Sequence, residues 1–351
     1  MSVTTDRIPA DRLVAFVARV LGAVGVPPEE AAEVARTMVE ADLLGYDTHG
    51  VFRLKQYVDR LRAGGTLAAS RPVILQETAA TALVDGQNGM GHLAMNFAVA
   101  LAMSKARDTG VGWVGLRGSN HAGPAALYVR PQAKAGMIGM VGAVGSANHM
   151  PAWNGMDLLL GTNPLAISAP GGSGAPFVLD MATTVAAMGK IKTLAQRGEP
   201  MPEGWMIDRN GDAMTDPAQR DNGFLLPVGG PKGYGLALAI GLLAGAVNGA
   251  ALGSNVVNFT ADKETPTNTG QFVMALDVRA FGSVETFGHS VDRVFDELIG
   301  STALPGTDGP RIPGANREAI RLRNITEGIA LAAALRGKLE DLAHEVDVTG
   351  L

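Results

Sequence analysis

Between Lys232 and Asp262 the sequence carries no charged side chain, and residues 233–252 are almost wholly apolar. Such a run either crosses a membrane or lies inside a large fold. Its composition favours the interior, because it is mostly Gly and Ala with few large aliphatics, and Asn248 interrupts it. Gly241, Gly245 and Gly249 recur every four residues and would let a helix here pack very closely on its neighbours. The reading is a buried helix. A chain of 351 residues is long enough to enclose one, as two domains or one large one.

The rest of the composition fits a compact folded chain, with 46% apolar and 18% charged residues. The 46 glycines are about 13% of the chain, against an average near 7%. They point to tight turns and to backbone that approaches a ligand closely. A net charge of −5 argues against a nucleic-acid binder, which needs a basic stripe. The absence of cysteine removes disulfides, thiolate catalysis and Cys-based metal sites, and fits a reducing, cytoplasmic setting. The N-terminus holds Asp6, Arg7, Asp11 and Arg12 and no apolar signal core, which argues against export.

Helical patterns open the chain. Residues 10–23 are amphipathic and end near Gly25. Pro27, Pro28, Glu29 and Glu30 open a second helix that runs to about Gly45. A third is expected from Thr48 to before Gly64, with Val51, Leu54, Val58 and Leu61 as its apolar stripe and His49, Arg53, Gln56, Tyr57 and Arg60 off it. From about residue 73 the pattern alternates. Strands are expected at 81–85, 111–116, 137–144, around Ile167, at 177–179 and at 271–278. Helices are expected from about 91 to 107, over 122–135 with a kink at Pro131, over 184–197 and over 284–299. This alternation predicts an α/β sheet with helices on both faces. Residues 305–313 read as a linker, and a last helix over 329–344 is expected to pack back on the first ones.

Three segments carry candidate chemistry. The first is Asp47-Thr48-His49-Gly50-Val51-Phe52-Arg53. On a helix, His49 and Arg53 would share one face, with Thr48 or Asp47 as cap. An imidazole exchanges protons near neutral pH, and a guanidinium grips a carboxylate with two hydrogen bonds. The pair suits a small organic acid that gains or loses a proton. A surface His beside a surface Arg is the alternative. A helix N-terminus and an Arg both disfavour protonated His49, so Asp47 or another carboxylate would have to offset them if His49 acts as an acid. The second segment, Arg117-Gly118-Ser119-Asn120-His121-Ala122-Gly123, follows a strand end, where ligands sit in α/β sheets. A loop His bonded to backbone is its alternative. The third, Leu226-Pro227-Val228-Gly229-Gly230-Pro231-Lys232-Gly233-Tyr234-Gly235, opens the apolar helix and could present N–H groups and one charge to a phosphate. It lacks the P-loop spacing, and a plain tight turn is a serious rival. Gly110-Val111-Gly112-Trp113-Val114-Gly115 fits G-x-G-x-x-G, but a helix precedes it and a strand contains it, so it is no dinucleotide fingerprint. No metal-site spacing is present among the six His.

Taken in order, nine pieces resemble the malate/L-lactate dehydrogenase family of the non-Rossmann type. These are Ala41-Asp42-Leu43 running into Asp47-Thr48-His49-Gly50, then Asp85-Gly86-Gln87-Asn88-Gly89, Asn120-His121-Ala122-Gly123, Gly161-Thr162-Asn163-Pro164, Leu179-Asp180-Met181-Ala182, Gly189-Lys190-Ile191, Pro202-Glu203-Gly204-Trp205, Pro231-Lys232-Gly233-Tyr234-Gly235 and Ile312-Pro313-Gly314. The resemblance covers nearly the whole chain. It implies NAD- or NADP-dependent interconversion of a 2-oxo and a 2-hydroxy acid, or reduction of a related cyclic imine, by a homodimer with its own cofactor fold. Carried over, His49 and His121 are the acid/base candidates, Arg53 holds the carboxylate with Thr48 beside it, and Asp180 orients a catalytic His. Ser146, Leu179, Met181, Ala182, Lys232, Gly233, Gly314 and Asn316 are the implied cofactor contacts. The chain departs from the usual pattern at Thr48 (Ser in the family), Ala122 (an aromatic), Asn154 (Gly) and Ala315 (Glu).

The combined expectation is an α/β fold with a mixed central sheet, helices on both faces and a non-Rossmann cofactor domain. A helical domain would be built from residues 1–72 joined by 312–351, and the α/β cofactor- and substrate-binding domain from 73–311. The expected ligand is a small anionic substrate, with neither nucleic acid nor membrane as partner. A cyclic imine reductase and a non-catalytic ligand-binding protein on the same scaffold are the rival functions.

Overall fold

The structure is a computed structural model that describes residues 6–172 and 175–351. Helices α1 (Ala10–Ala23) and α2 (Pro28–Leu43) form where expected. Leu13, Phe16, Val17, Val20 and Leu21 of α1 are buried, and Gly25, at φ +92°, turns the chain into Pro27 and Pro28. The third helix differs from expectation. Residues 47–50 form a turn, Val51–Arg53 a single 3₁₀ turn, and α3 proper spans Leu54–Ala63. His49 and Arg53 therefore do not share a helix face, and neither Thr48 nor Asp47 caps a helix.

The apolar stripe Val51, Leu54, Val58 and Leu61 is buried as expected. Tyr57 and Arg60 are buried as well, so α3 has a second inward face. Ile8, α1–α3 and residues 329–351 share one apolar core with Met90, Leu93 and Phe259.

The second core surrounds a seven-stranded sheet. Its strands are β1 (Val73–Glu77), β2 (Thr81–Asp85), β3 (Val111–Ser119), β4 (Met137–Ala143), β5 (Leu165–Ala169), β6 (Phe177–Met181) and β7 (Thr269–Asp277), in the spatial order β1-β2-β3-β7-β4-β5-β6. Only β2 and β3 run parallel, and the other neighbours are antiparallel, which makes the sheet mixed. Helix α4 (Gly91–Thr109) joins the parallel pair. Its Ala94, Ala98, Ala102 and Ala106 recur every four residues and pack on Val114, Leu116, Val273 and Ala275. At Gly112 a side chain would overlap the Ala102 carbonyl, so this helix lies directly on the sheet. Helix α5 (Ala126–Lys134) covers the same face beyond β4, with Pro131 inside it. It starts four residues later than expected, because 121–125 form the turn that carries His121.

Helix α6 (Met188–Arg197) also starts late, since Thr183 N–H donates to the Thr162 carbonyl and Thr184 Oγ1 to the Ala186 carbonyl. The apolar run gives α7 (Pro231–Ala244), packed on the other face of the sheet with Phe272 and Val144 near its end. It is shorter and less enclosed than predicted. Asn248 donates from Nδ2 to the carbonyls of Leu243, Ala244 and Gln271, and Gly249 takes φ +68°, so the helix stops there. Leu242, Leu243 and Val247 are exposed. Among the described residues no helix is long and apolar enough to cross a membrane.

Helix α8 (Val284–Ile299) has the predicted bounds and a Ser283 cap. Residues 301–313 hold no helix or strand. Helix α9 (Ala315–Glu327) was not anticipated. The predicted closing helix begins only at α10 (Ala333–Glu345), because Ile329–Leu331 pairs as a strand with Asp6–Ile8.

Candidate active site

One pocket gathers residues from distant parts of the chain. His49 and Arg53 enter from the turn before α3, His121 to Gly123 with Ala125 from the end of β3, and Val144 to Ala147 with His149 from the end of β4. Thr162 and Pro164, then Ala187 to Gly189 with Lys192, line it from the α6 side. Thr260, Thr269 and Gln271 complete the wall. The pocket encloses about 160 Å³.

The two imidazoles lie together. Their ring centroids are 5.8 Å apart with planes 22° from parallel, and Phe259 stacks on the other side of His121 at 5.1 Å. Their Nδ1 atoms meet different partners. His49 Nδ1 is 2.8 Å from Thr48 Oγ1, a hydroxyl that can donate or accept. His121 Nδ1 accepts from the Gly123 N–H at 3.3 Å and meets the Tyr57 hydroxyl at 2.6 Å. An amide N–H can only donate, and burial pushes the Tyr57 pKa up, so its hydroxyl keeps its proton. Both neighbours thus hold His121 Nδ1 as an acceptor and place its ring proton on Nε2.

The loop under His121 is pinned from below. Asn120 donates to Asn88 Oδ1 and the Gly89 carbonyl, and its Oδ1 accepts from Thr66 and Thr267 hydroxyls. Asn163 ties the opposite wall to α7, accepting from Gly145 N–H and donating to the Ala237 carbonyl. The loop of Phe259 is anchored by Arg60. Its guanidinium is fully buried and donates to the carbonyls of Gly65, Asp262 and Thr265.

Charge in the pocket is one-sided. Among the described residues, Arg53 and Lys192 line it and no Asp or Glu does. Arg53 spends Nε on the Thr48 carbonyl (2.9 Å) and one Nη1 proton on Gln56 Oε1 (3.0 Å), which leaves N–H groups for a ligand. Burial, and then the Arg53 charge, lower the His49 pKa to about 4. The same causes hold His121 well below the ordinary imidazole range, with His49 and His92 adding to them. The carboxylate that the sequence reading required to offset Arg53 is absent from this wall, so both rings are neutral at pH 7. Gln271 is 3% exposed and donates to the Asn120 carbonyl, while its Oε1 is buried with no partner. That atom is an acceptor awaiting a donor.

Thr48 holds His49, and Ser146 lines the pocket. Asp180 does not orient a histidine. Its Oδ2 accepts from Ala126 N–H at 3.0 Å, where the open N–H groups of α5 attract a carboxylate. Burial raises its pKa to about 6. Leu179, Met181, Ala182, Lys232, Gly233, Gly314 and Asn316 lie outside the pocket wall. Gly230 caps α7 at φ +64°, Gly233 has no room for a side chain against Val228, and Lys232 is exposed. The site also uses Tyr57, His149, Lys192, Phe259 and Gln271, which the sequence reading did not single out as site residues. For Tyr57 there was a signal, since Arg53, Gln56, Tyr57 and Arg60 recur at the spacing of one helix face.

Asp42 supports the turn that carries His49 from behind. It is buried and accepts from Val51 N–H at 2.8 Å, and a side chain at Gly50 would overlap its carboxylate. Burial raises its pKa to about 8. A folded value above the unfolded one means stability that is full below about pH 4 and lost as pH rises through about 8. Asp42→Asn keeps the acceptor and removes the ionisation. Its melting temperature is therefore expected to fall less than the wild type's between pH 5 and 9, as scanning calorimetry would record. Equal losses in both proteins would contradict this.

The chain matches the family described as malate/L-lactate dehydrogenase over residues 8–340. The chain belongs to this family. The malate dehydrogenase of Pyrococcus horikoshii is 36% identical, spanning 98% of this chain and 97% of that protein. A Delta(1)-pyrroline-2-carboxylate reductase of Ancylobacter novellus is 33% identical over 92% of this chain and 93% of its own length. The solved sulfolactate dehydrogenase of Methanocaldococcus jannaschii superposes with a TM-score of 0.90 at 34% identity, covering 98% of each chain. As a member of the malate/L-lactate dehydrogenase family, the protein is an oxidoreductase, and the mixed sheet without a Rossmann fingerprint is the fold of its relatives.

Proposed function

We propose that the protein interconverts a small 2-hydroxy acid and its 2-oxo acid with NAD or NADP, using His49 as proton carrier, His121 as hydrogen-bond donor to the reacting oxygen and Arg53 as carboxylate holder. The single observation that carries this reading is the convergence of two stacked, neutral imidazoles and an Arg with free N–H groups in one acid-free pocket. The chemistry supplied by a bound nicotinamide cofactor is hydride exchange with the carbon next to the carboxylate. The pocket suits such a ring, because the orphaned Gln271 Oε1 can accept from its carboxamide and Val144 to Ala147 offer a mostly apolar wall.

Arg53 fixes the acid group, which orients the neighbouring carbon. His121 Nε2–H points its proton at the reacting oxygen and polarises it. His49 takes the hydroxyl proton during oxidation and returns it during reduction, and Thr48 Oγ1 stays bonded to it in both states. A bound carboxylate cancels the Arg53 charge that depresses His49, so binding of the oxo acid draws in a proton and tightens as pH falls. The exposed Leu242 and Leu243 of α7, with Val247 just beyond it, support a homodimer, in which a second copy would cover them. The proposed arrangement keeps the helical unit of residues 1–72 and 312–351 beside the 73–311 unit, in a cytoplasmic setting.

The test is an assay of a panel of 2-oxo acids and Δ1-pyrroline-2-carboxylate with NADH and with NADPH. Turnover of an acid supports the reading, turnover of the imine alone favours the reductase alternative, and tight binding without any turnover returns the protein to a ligand-binding role.

A further inference from the structure

We propose that Lys192, with His149 beside it, forms a second anion subsite in this pocket and makes the enzyme select 2-oxo and 2-hydroxy acids that carry a second acidic group. The proposal rests on the reading above, in which Arg53 holds the carboxylate next to the reacting carbon.

Three observations lead to it. First, the pocket wall contains two permanent cations and no acid, so a single carboxylate balances only half of its charge. Second, the two cations are not equivalent. Arg53 is fixed by Thr48 and Gln56, and its remaining fork suits one carboxylate. Lys192 makes no hydrogen bond or ion pair among the described residues, although it lines the same cavity. Third, Lys192 is held close to the reacting groups. It lies on α6, whose Gly189 packs against the Thr48 side chain at 3.6 Å from its would-be Cβ.

The electrostatics agree. Partial desolvation and then the Arg53 charge pull the Lys192 pKa down, and Arg220 adds to this while Asp221 opposes it. Burial, and then Lys192, lower His149 to about 4. Neutral His149 can still donate one N–H to an anion held by Lys192. A monoanionic acid with an apolar tail would seat that tail against an ammonium group, whereas a dianion pairs with both cations. Lys192 thus separates the two substrate classes by attraction for one and by an unmatched charge against the other.

The test compares wild type, Lys192→Met and Lys192→Arg on oxaloacetate, pyruvate and Δ1-pyrroline-2-carboxylate with either reduced cofactor. Wild type is expected to favour oxaloacetate. Lys192→Met should lose about 100-fold in kcat/KM on oxaloacetate, chiefly through KM, as expected when one partner of a close charge pair is truncated. Its activity on pyruvate should rise, because the charge that opposes an apolar tail is gone, and Lys192→Arg should retain most of the oxaloacetate activity. Inhibition by the dianion tartronate should weaken in Lys192→Met, and inhibition by the monoanion oxamate should not. Equal losses on oxaloacetate and pyruvate, or a wild-type preference for pyruvate, would overturn the subsite while leaving the dehydrogenase reading intact, and turnover of the imine alone would overturn both. A wild type that reduces none of the three would overturn both.

Discussion

His49→Ala is expected to lower kcat by about 10²- to 10⁴-fold, the usual worth of a positioned general acid or base. The same variant should lose the ionisation seen in the pH profile of kcat. His121→Ala should also lower kcat, yet keep that ionisation, because His121 acts here by donating a hydrogen bond. The distinction comes from the partners of the two Nδ1 atoms. Thr48 Oγ1 serves His49 whether its Nδ1 carries a proton or not, so the ring can charge and discharge without losing its anchor. Gly123 N–H offers His121 Nδ1 only a donor, and protonating that nitrogen would set two N–H groups against each other. If the ionisation vanishes in His121→Ala and persists in His49→Ala, the two roles are exchanged. If both variants retain wild-type kcat with intact folding, the pocket is not the reaction site.

Arg53→Lys is the second large effect. Lysine keeps the charge but not the planar fork, so kcat/KM for a 2-oxo acid should fall by about 100-fold or more, with KM carrying most of the loss. Arg53→Met should be worse for acids and should also raise the His49 pKa, since Arg53 is the second cause of its depression after burial. The acid limb of the pH profile for oxidation would then move upward from its wild-type position. An Arg53→Met enzyme with unchanged KM for acids would rule out the carboxylate role.

Some of this architecture could be read directly from the chain. Helix α8 announces itself with a Ser283 cap and an amphipathic pattern, and its bounds fall at 284 and 299 as expected. The strands show as short apolar runs between turn residues. The false dinucleotide motif was recognisable because Gly110 closes α4 at φ +86° and β3 begins after it. The misses have local causes. The apolar run suggested one long buried helix, but the side chain of Asn248 terminates it through bonds to carbonyls that no spacing rule reveals. Helix α9 is mostly polar, with an apolar signal too thin to stand out, and it is held by Arg321 paired with Glu40 and Asn324 bonded to α2 carbonyls.

The site divides in the same way. His49, Arg53 and His121 stood out because their residue types and surroundings suggest chemistry. Gln271, His149 and Lys192 reach the pocket only through the sheet order and the placement of α6, so their neighbours in sequence say nothing of it. Asp180 bonds instead to the start of α5, a partner that its own sequence neighbours do not reveal.

Arg60 grips the segment after Phe259 by the carbonyl oxygens of Asp262 and Thr265. Every residue type carries such an oxygen, so these two bonds place no demand of their own on the side chains at 262 and 265. Exposed Glu264 is free to drift in an evolving lineage, or to be randomised in a library, while Thr260 stays tied to the pocket wall and Lys263 to Asp59, and the aromatic lid over His121 keeps its place.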